Sequence, residues 1–323
     1  MPIFRALRFM SMLPYFPFGD RFNDKMGTAP LGPTEPLLEV DAHYRAEISL
    51  KRQLLATVPG YYAQALPGYE LAHWEAAELL MQHAARHYPD SFLFVQQAGQ
   101  WVWTNRLLGE TTTIWPHKEG ALSTFPIDWI GQQVQEDLLL LSGDETRLVA
   151  GQLCFGNGWC LDEKLGLPFW EIHAPINPIV PPMMQAAGQL MQRLPAGRTV
   201  WRLNWSIKAS DQLDMSSRRM PHLNDQLQQR LPTLTPETAG AHLFVRIERQ
   251  TLTRLSRSGA ILFGIHTYQN RLADEMAQRP DAARRLLNVL NTTPPAMIDY
   301  KGISPFLSPL IHFLERGLTK ANL

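Results

Sequence analysis

The chain has 323 residues, 45% apolar and 19% charged, a composition that supports a large buried core and excludes a disordered tail. Its 30 lysines and arginines balance its 30 aspartates and glutamates, so no net field exists to hold a nucleic acid or an anionic membrane. Its two cysteines, Cys154 and Cys160, are too few for a disulfide framework or an ordinary iron–sulfur cluster, which fits a cytoplasmic protein.

Along the chain, residues 1–40 read as an extended or docking arm: the opening apolar runs are broken by prolines and are too short for a signal peptide or a membrane span. Residues 41–127 read as mainly helical. Helices are expected over 44–58 and 69–86, then a short alternating segment over 92–103 and a Thr- and Pro-containing connection to residue 125. From residue 128 the period changes. A short helix near 129–136 precedes strands over 137–141 and 147–155, separated by Ser142-Gly143-Asp144. A glycine-containing stretch, a proline-rich segment over 168–182 and a helix over 183–193 form a crossover. Three more strands follow over 199–207, 242–255 and 260–269, the last two joined by the hairpin loop Ser256-Arg257-Ser258-Gly259. This order predicts an α+β fold whose antiparallel five-stranded sheet is covered on one face by the crossover helices. Residues 271–323 return to helix, punctuated by Pro280 and Pro294-Pro295.

Ten histidines are the natural metal candidates. His83 and His87 share a helix face at a spacing that can bind zinc, but no acid lies between them, and a solvated polar face is the simpler account. His173 sits in Glu171-Ile172-His173-Ala174-Pro175, where nearby prolines stiffen the backbone; it reads as an axial ligand or as a loop histidine bonded to a carbonyl. His266 alternates with Leu262, Gly264 and Tyr268 on one strand face, where Gly264 leaves room for a ligand or marks a bulge. Two strands carry polar faces, Arg202, Asn204 and Ser206 on one and Arg246, Glu248 and Gln250 on the other. Facing water they are ordinary amphipathic strands. Facing the crossover they need partners, and a ligand site becomes the simpler account. No phosphate loop, dinucleotide loop or nucleophile elbow is present in the sequence.

Several strings carry a family resemblance. RIERQTLTRLSRSGAILFGIHTY (246–268), VQEDLLLL (134–141), CFGNGW (154–159) with KLG (164–166), EIHAPI (171–176), RLNWSI (202–207) and YKG (300–302) resemble, in order, the family that includes the α subunit of heme-dependent oxidative N-demethylase. The resemblance spans roughly residues 40 to 310.

The resemblance implies a PAS-like heme-binding core over residues 128–270, with N-terminal and C-terminal helical extensions. It implies heme b with His173 as axial ligand to iron, and oxidation of a small secondary amine such as dimethylamine by O2. Strand geometry nominates Arg202, Asn204 and Arg246 as donors, Glu248 as a group holding an ammonium or its proton, and His266 as a second, distal group. The resemblance further implies that electrons come from a partner, an NADPH-dependent reductase subunit with FMN and a [2Fe–2S] centre, and that tetrahydrofolate acts outside this chain; the cysteine count agrees that this chain cannot carry the cluster itself. A heme-based gas or redox sensor and a heme-free binding subunit are the competing readings. The chain departs from the family pattern at Ser256, Gly264 and Asn177, positions that bear on substrate more than on fold.

Overall fold

The structure is a computed structural model that describes residues 12–279 and 281–321; residues 1–11 of the expected docking arm lie outside the described residues. Its strands are β1 (Ala29–Pro30), β2 (Ala63–Ala65), β3 (Phe92–Gln97), β4 (Gln100–Asn105), β5 (Glu110–Ile114), β6 (Asp137–Leu141), β7 (Leu148–Gln152), β8 (Thr199–Lys208), β9 (Phe244–Arg254) and β10 (Ile261–Arg271). Seven form one antiparallel sheet in the order β1-β8-β9-β10-β6-β7-β2, and β3-β4-β5 form a second.

The five strands expected from the sequence are the central five of the large sheet. Numbered among themselves, they lie in the order second, first, fifth, fourth, third. The expected five-stranded sheet is thus part of a seven-stranded one. Its edge strands β1 and β2 hold two and three residues, too few to show a period of two.

The N-terminal third also departs from a mainly helical reading. Residues 92–105 are not one strand but a hairpin whose turn, Ala98-Gly99, has two positive φ angles (52° and 75°), the twist that suits a two-residue loop. β5 extends it from within the expected connection, where the alternation is hidden by three consecutive threonines.

The helices are α1 (Tyr44–Thr57), α2 (Pro59–Tyr62), α3 (Glu70–His87), α4 (Pro126–Gly131), α5 (Leu161–Lys164), α6 (Phe169–Ile172), α7 (Pro181–Arg193), α8 (Met220–Arg230), α9 (Ala239–His242), α10 (Leu272–Gln278), α11 (Ala282–Thr292), α12 (Pro295–Tyr300) and α13 (Leu307–Ala321). Helices cover both faces of the sheet. On one face, Leu138, Leu140 and Leu262 pack with α1, α3 and α4. Farther along it, Val245, Ile247 and Tyr268 pack with the C-terminal helices. On the opposite face, Leu139, Ile261 and Ile265 pack with α5, α6 and α7 of the crossover. Because side chains alternate along a strand, neighbouring residues of one motif are delivered to different compartments.

Residues 12–41 wrap the sheet, as an extended arm would. Leu13, Phe18, Leu37 and Leu38 are buried. Arg249 fixes the arm's end by donating to the carbonyls of Pro36 (2.7 Å) and Leu37 (3.2 Å).

Candidate functional site

Pro168 starts the single turn α6, and His173 ends it. The His173 Nδ1 lies 2.8 Å from the carbonyl oxygen of Phe169, and the Phe169 ring sits 4.2 Å from the imidazole. A carbonyl only accepts, so Nδ1 carries the proton and the neutral ring presents its lone pair at Nε2. Burial, reinforced by Arg202 and Lys164 and opposed by the Phe169 carbonyl, lowers the pKa of His173 and favours that neutral form. Nε2 has no described protein partner. A ligating histidine carries this same second bond, which fixes its tautomer and orientation.

The crossover faces the polar side of β8 and β9. In register, Arg202 pairs with Gln250, Asn204 with Glu248, and Ser206 with Arg246, so all six share one sheet face. Of the two readings open from the sequence, the structure favours the covered one: Arg246 and Glu248 are 1% and 7% exposed.

Glu248 organises this face. Its carboxylate accepts from Asn157 (3.1 Å), Asn204 (3.2 Å) and Gln250 (3.0 Å), with Arg246 Nε at 3.6 Å. Burial alone would raise its pKa, but Arg246 and the three amides outweigh burial and hold it below the usual carboxylate range. Arg246 is itself anchored to the carbonyls of Leu213 (2.8 Å) and Phe155. Arg202 is half-buried and leaves a buried Nε without a hydrogen-bond partner.

Two lysines that the sequence reading did not nominate complete the site. Burial pushes Lys208 down to about 8, with Arg246 adding to the shift. Lys301 is lowered to about 7, first by burial and then by Lys208. The C-terminal segment carries Lys301 to the outer edge of β8, where Nζ donates to the Trp205 carbonyl (2.7 Å) and lies 4.3 Å from that indole's centre. The strings GNG and YKG held the clues to Asn157 and Lys301. Only folding brings Asn157, 91 residues away in sequence, into a hydrogen bond with Glu248 and sets Lys301 within reach of its charge.

His266 is not brought to this site. It pairs across the strands with Arg249 and faces the N-terminal helices, on the opposite side of the sheet from Arg202, Asn204, Arg246 and Glu248. Its ring is fully buried, stacked on Tyr268, 3.0 Å from Glu136 and 3.9 Å from Asp41. Gly264 answers a local need as well: a Cβ there would lie 2.8 Å from Thr251 Oγ1. His83 and His87 stack with ring centres 5.7 Å apart at the end of α3.

The buried pair makes a pH prediction. Burial alone would lower the pKa of His266, but Glu136 and then Asp41 raise it to about 10. The stabilisation is therefore complete below the unfolded value of about 6.5 and is lost as pH rises toward 10. The urea midpoint should fall across that interval in the wild-type chain, and fall less in Glu136→Gln. Equal declines would refute the coupling.

Fold and site together define an α+β protein in which a helical crossover covers a polar face of an antiparallel sheet, and in which one imidazole nitrogen, His173 Nε2, has no protein partner among the described residues. No helix among the described residues is long and apolar enough to cross a membrane. The chain belongs to the family described as haem-dependent oxidative N-demethylase, alpha subunit-like, whose model matches residues 30–311. That description names a haem-dependent enzyme and one of its subunits, and it is a statement about the family.

The residues present fit a haem. His173 presents a tautomer suited to ligation, and Arg202 has an unsatisfied donor for a carboxylate. Phe169, Ile172 and Phe263 are half-buried, apolar walls for a flat ring.

Proposed function

We propose that the cleft between crossover and sheet binds heme b through His173 Nε2, and that the chain catalyses oxidative N-demethylation of a small secondary amine. The strand order of the central five and the crossover between the second and third support a PAS-like core for residues 128–270. The partner-free Nε2 of His173, with Nδ1 held by the Phe169 carbonyl, is the observation that carries the reading. Arg202, Lys208, Arg246 and Lys301 surround one carboxylate, Glu248, and that surplus of positive charge suits the carboxylates of a bound haem.

Bound haem would supply the activation of O2 and the oxidation of the amine. The chain's own residues hold and orient. Phe169 fixes the ligand tautomer, Glu248 locks Arg246, Asn157, Asn204 and Gln250 into one rigid face, and the half-buried apolar walls limit water. Asn204 and Arg246 are spent largely on Glu248 and on backbone carbonyls, so they position this face. Arg202 retains a donor for the ligand. His266 acts from the other side of the sheet by stabilising it.

In balance, a dialkylamine, O2, two electrons and two protons give the shorter amine, formaldehyde and water. Electrons enter from an NADPH-dependent flavin and iron–sulfur partner, since the two cysteines here are buried and unbridged and cannot carry a cluster.

Reconstitution with haem tests this. One haem per chain, a spectrum perturbed by dimethylamine, and formaldehyde formed under air with an artificial reductant are expected. Haem uptake without turnover would favour a sensor, and no uptake would overturn the reading.

A further inference from the structure

A groove of about 480 Å³ lies where β1 meets β8, and none of the cleft residues discussed above lines it. Three segments far apart in sequence form it: the arm at residues 30–35, the end of α3, and the end of α7 with the loop into β8. Arg86, Arg193 and Arg198 line the groove, and among the described residues none of their side chains has an ion pair or hydrogen bond.

Arg86 and Arg193 occupy last helical turns, where a cation is ordinarily favoured by the helix dipole. Arg198 has no such reason, and convergence of the three on one concavity is not explained by helix ends. His83 adds a buried Nδ1 with no partner. Glu35 is the one acid in the lining, and it is turned back on the arm, accepting from Gly32 N at 2.6 Å. Leu31, Leu190 and Leu194 supply apolar lining. In a chain of zero net charge, this is a local positive concavity of small-molecule size.

We propose that the groove binds a small organic anion, an apolar body bearing a phosphate, sulfonate or carboxylate, with Arg86, Arg193 and Arg198 on the charge and the leucines against the body. The site is separate from the haem cleft and does not depend on haem binding.

Calorimetric titration with phenyl phosphate and with inorganic phosphate tests it. Phenyl phosphate should bind the wild-type chain about tenfold or more tightly than phosphate, because the ring adds apolar burial. Arg86→Ala/Arg198→Ala should weaken phenyl phosphate about tenfold or more by removing two charge-assisted contacts, whereas His173→Ala should bind as the wild type does. Both arginines are exposed, so the double variant should keep the wild-type circular dichroism. No heat at millimolar phenyl phosphate, or unchanged affinity in the double variant, overturns the proposal. So does binding by a glutamate decapeptide but not by phenyl phosphate, which would make the groove a protein-docking surface.

Discussion

His173→Ala is expected to lose haem by a factor of about 100 or more, since even residues that merely support a ligating histidine cost 10–100-fold when removed. The effect should be chemical rather than structural. His173 is half-buried at the end of a single turn, and its side chain is not part of the large cores. Far-UV circular dichroism and the urea midpoint should therefore change little, while the absorption band of histidine-ligated haem disappears. His173→Gly with added imidazole should regain that band, because the free base can enter the space the side chain vacates. A variant that keeps wild-type haem affinity and spectrum would remove His173 from the site, and with it the proposed ligation. A chain that takes up haem but loses only the amine response would leave ligation intact and place the error in the assigned chemistry.

Lys51→Met is expected to produce the largest loss of stability, about 3–5 kcal/mol by urea denaturation, the range for breaking a fully buried ion pair. Lys51 has no solvent exposure. Its ammonium donates to the carbonyls of Gly131 (3.1 Å), Val134 (3.2 Å) and Glu136 (2.5 Å), and lies 3.5 Å from Asp137. Methionine fills the same volume but leaves those oxygens unpaired.

Asp137 accepts from the backbone nitrogens of Cys154 (2.9 Å) and Phe155 (2.7 Å), so it ties the start of β6 to the chain leaving β7. Burial already raises the pKa of Asp137 against the pull of Lys51, and without the lysine the carboxyl should take up a proton. Lys51→Met/Asp137→Asn should therefore cost less than the sum of the two single changes. Strict additivity would show that the two groups do not act as a pair. The network also reaches the polar face of the sheet, because Phe155 offers its carbonyl to Arg246.

The cleft also limits what each nominated residue can do. Glu248 has its oxygens taken by three amides and lies 3.6 Å from Arg246 Nε, so Arg246 is held in place by the sheet's own residues. A site built this way keeps its charges fixed before a ligand arrives, which is the arrangement that wastes least free energy on reorganisation.

Much of this protein was determined by sequence alone. The five central strands, the helices expected over 44–58, 69–86 and 183–193 and found within two residues of those bounds, the hairpin before residue 260 and the family-bearing strings are local patterns of period two, period 3.6 and turn residues, and local patterns survive without tertiary information. His173 was nominated from a proline-stiffened local string together with the family resemblance.

The tertiary structure decided the rest. Whether the polar faces of β8 and β9 met water or the crossover depended on which elements covered the sheet, and alternation shows only that two residues share a face. His266 illustrates the limit: it lies in the strongest motif of the chain, yet one residue of register sends it to the side opposite Glu248. Lys301 illustrates the converse. It sits in a three-residue string far along the chain, and only the packing of the C-terminal helices against Ile207 and Ile247 carries it to the edge of β8. Edge strands of two or three residues were beyond sequence for a related reason, because their hydrogen bonds come from neighbours the chain supplies from elsewhere.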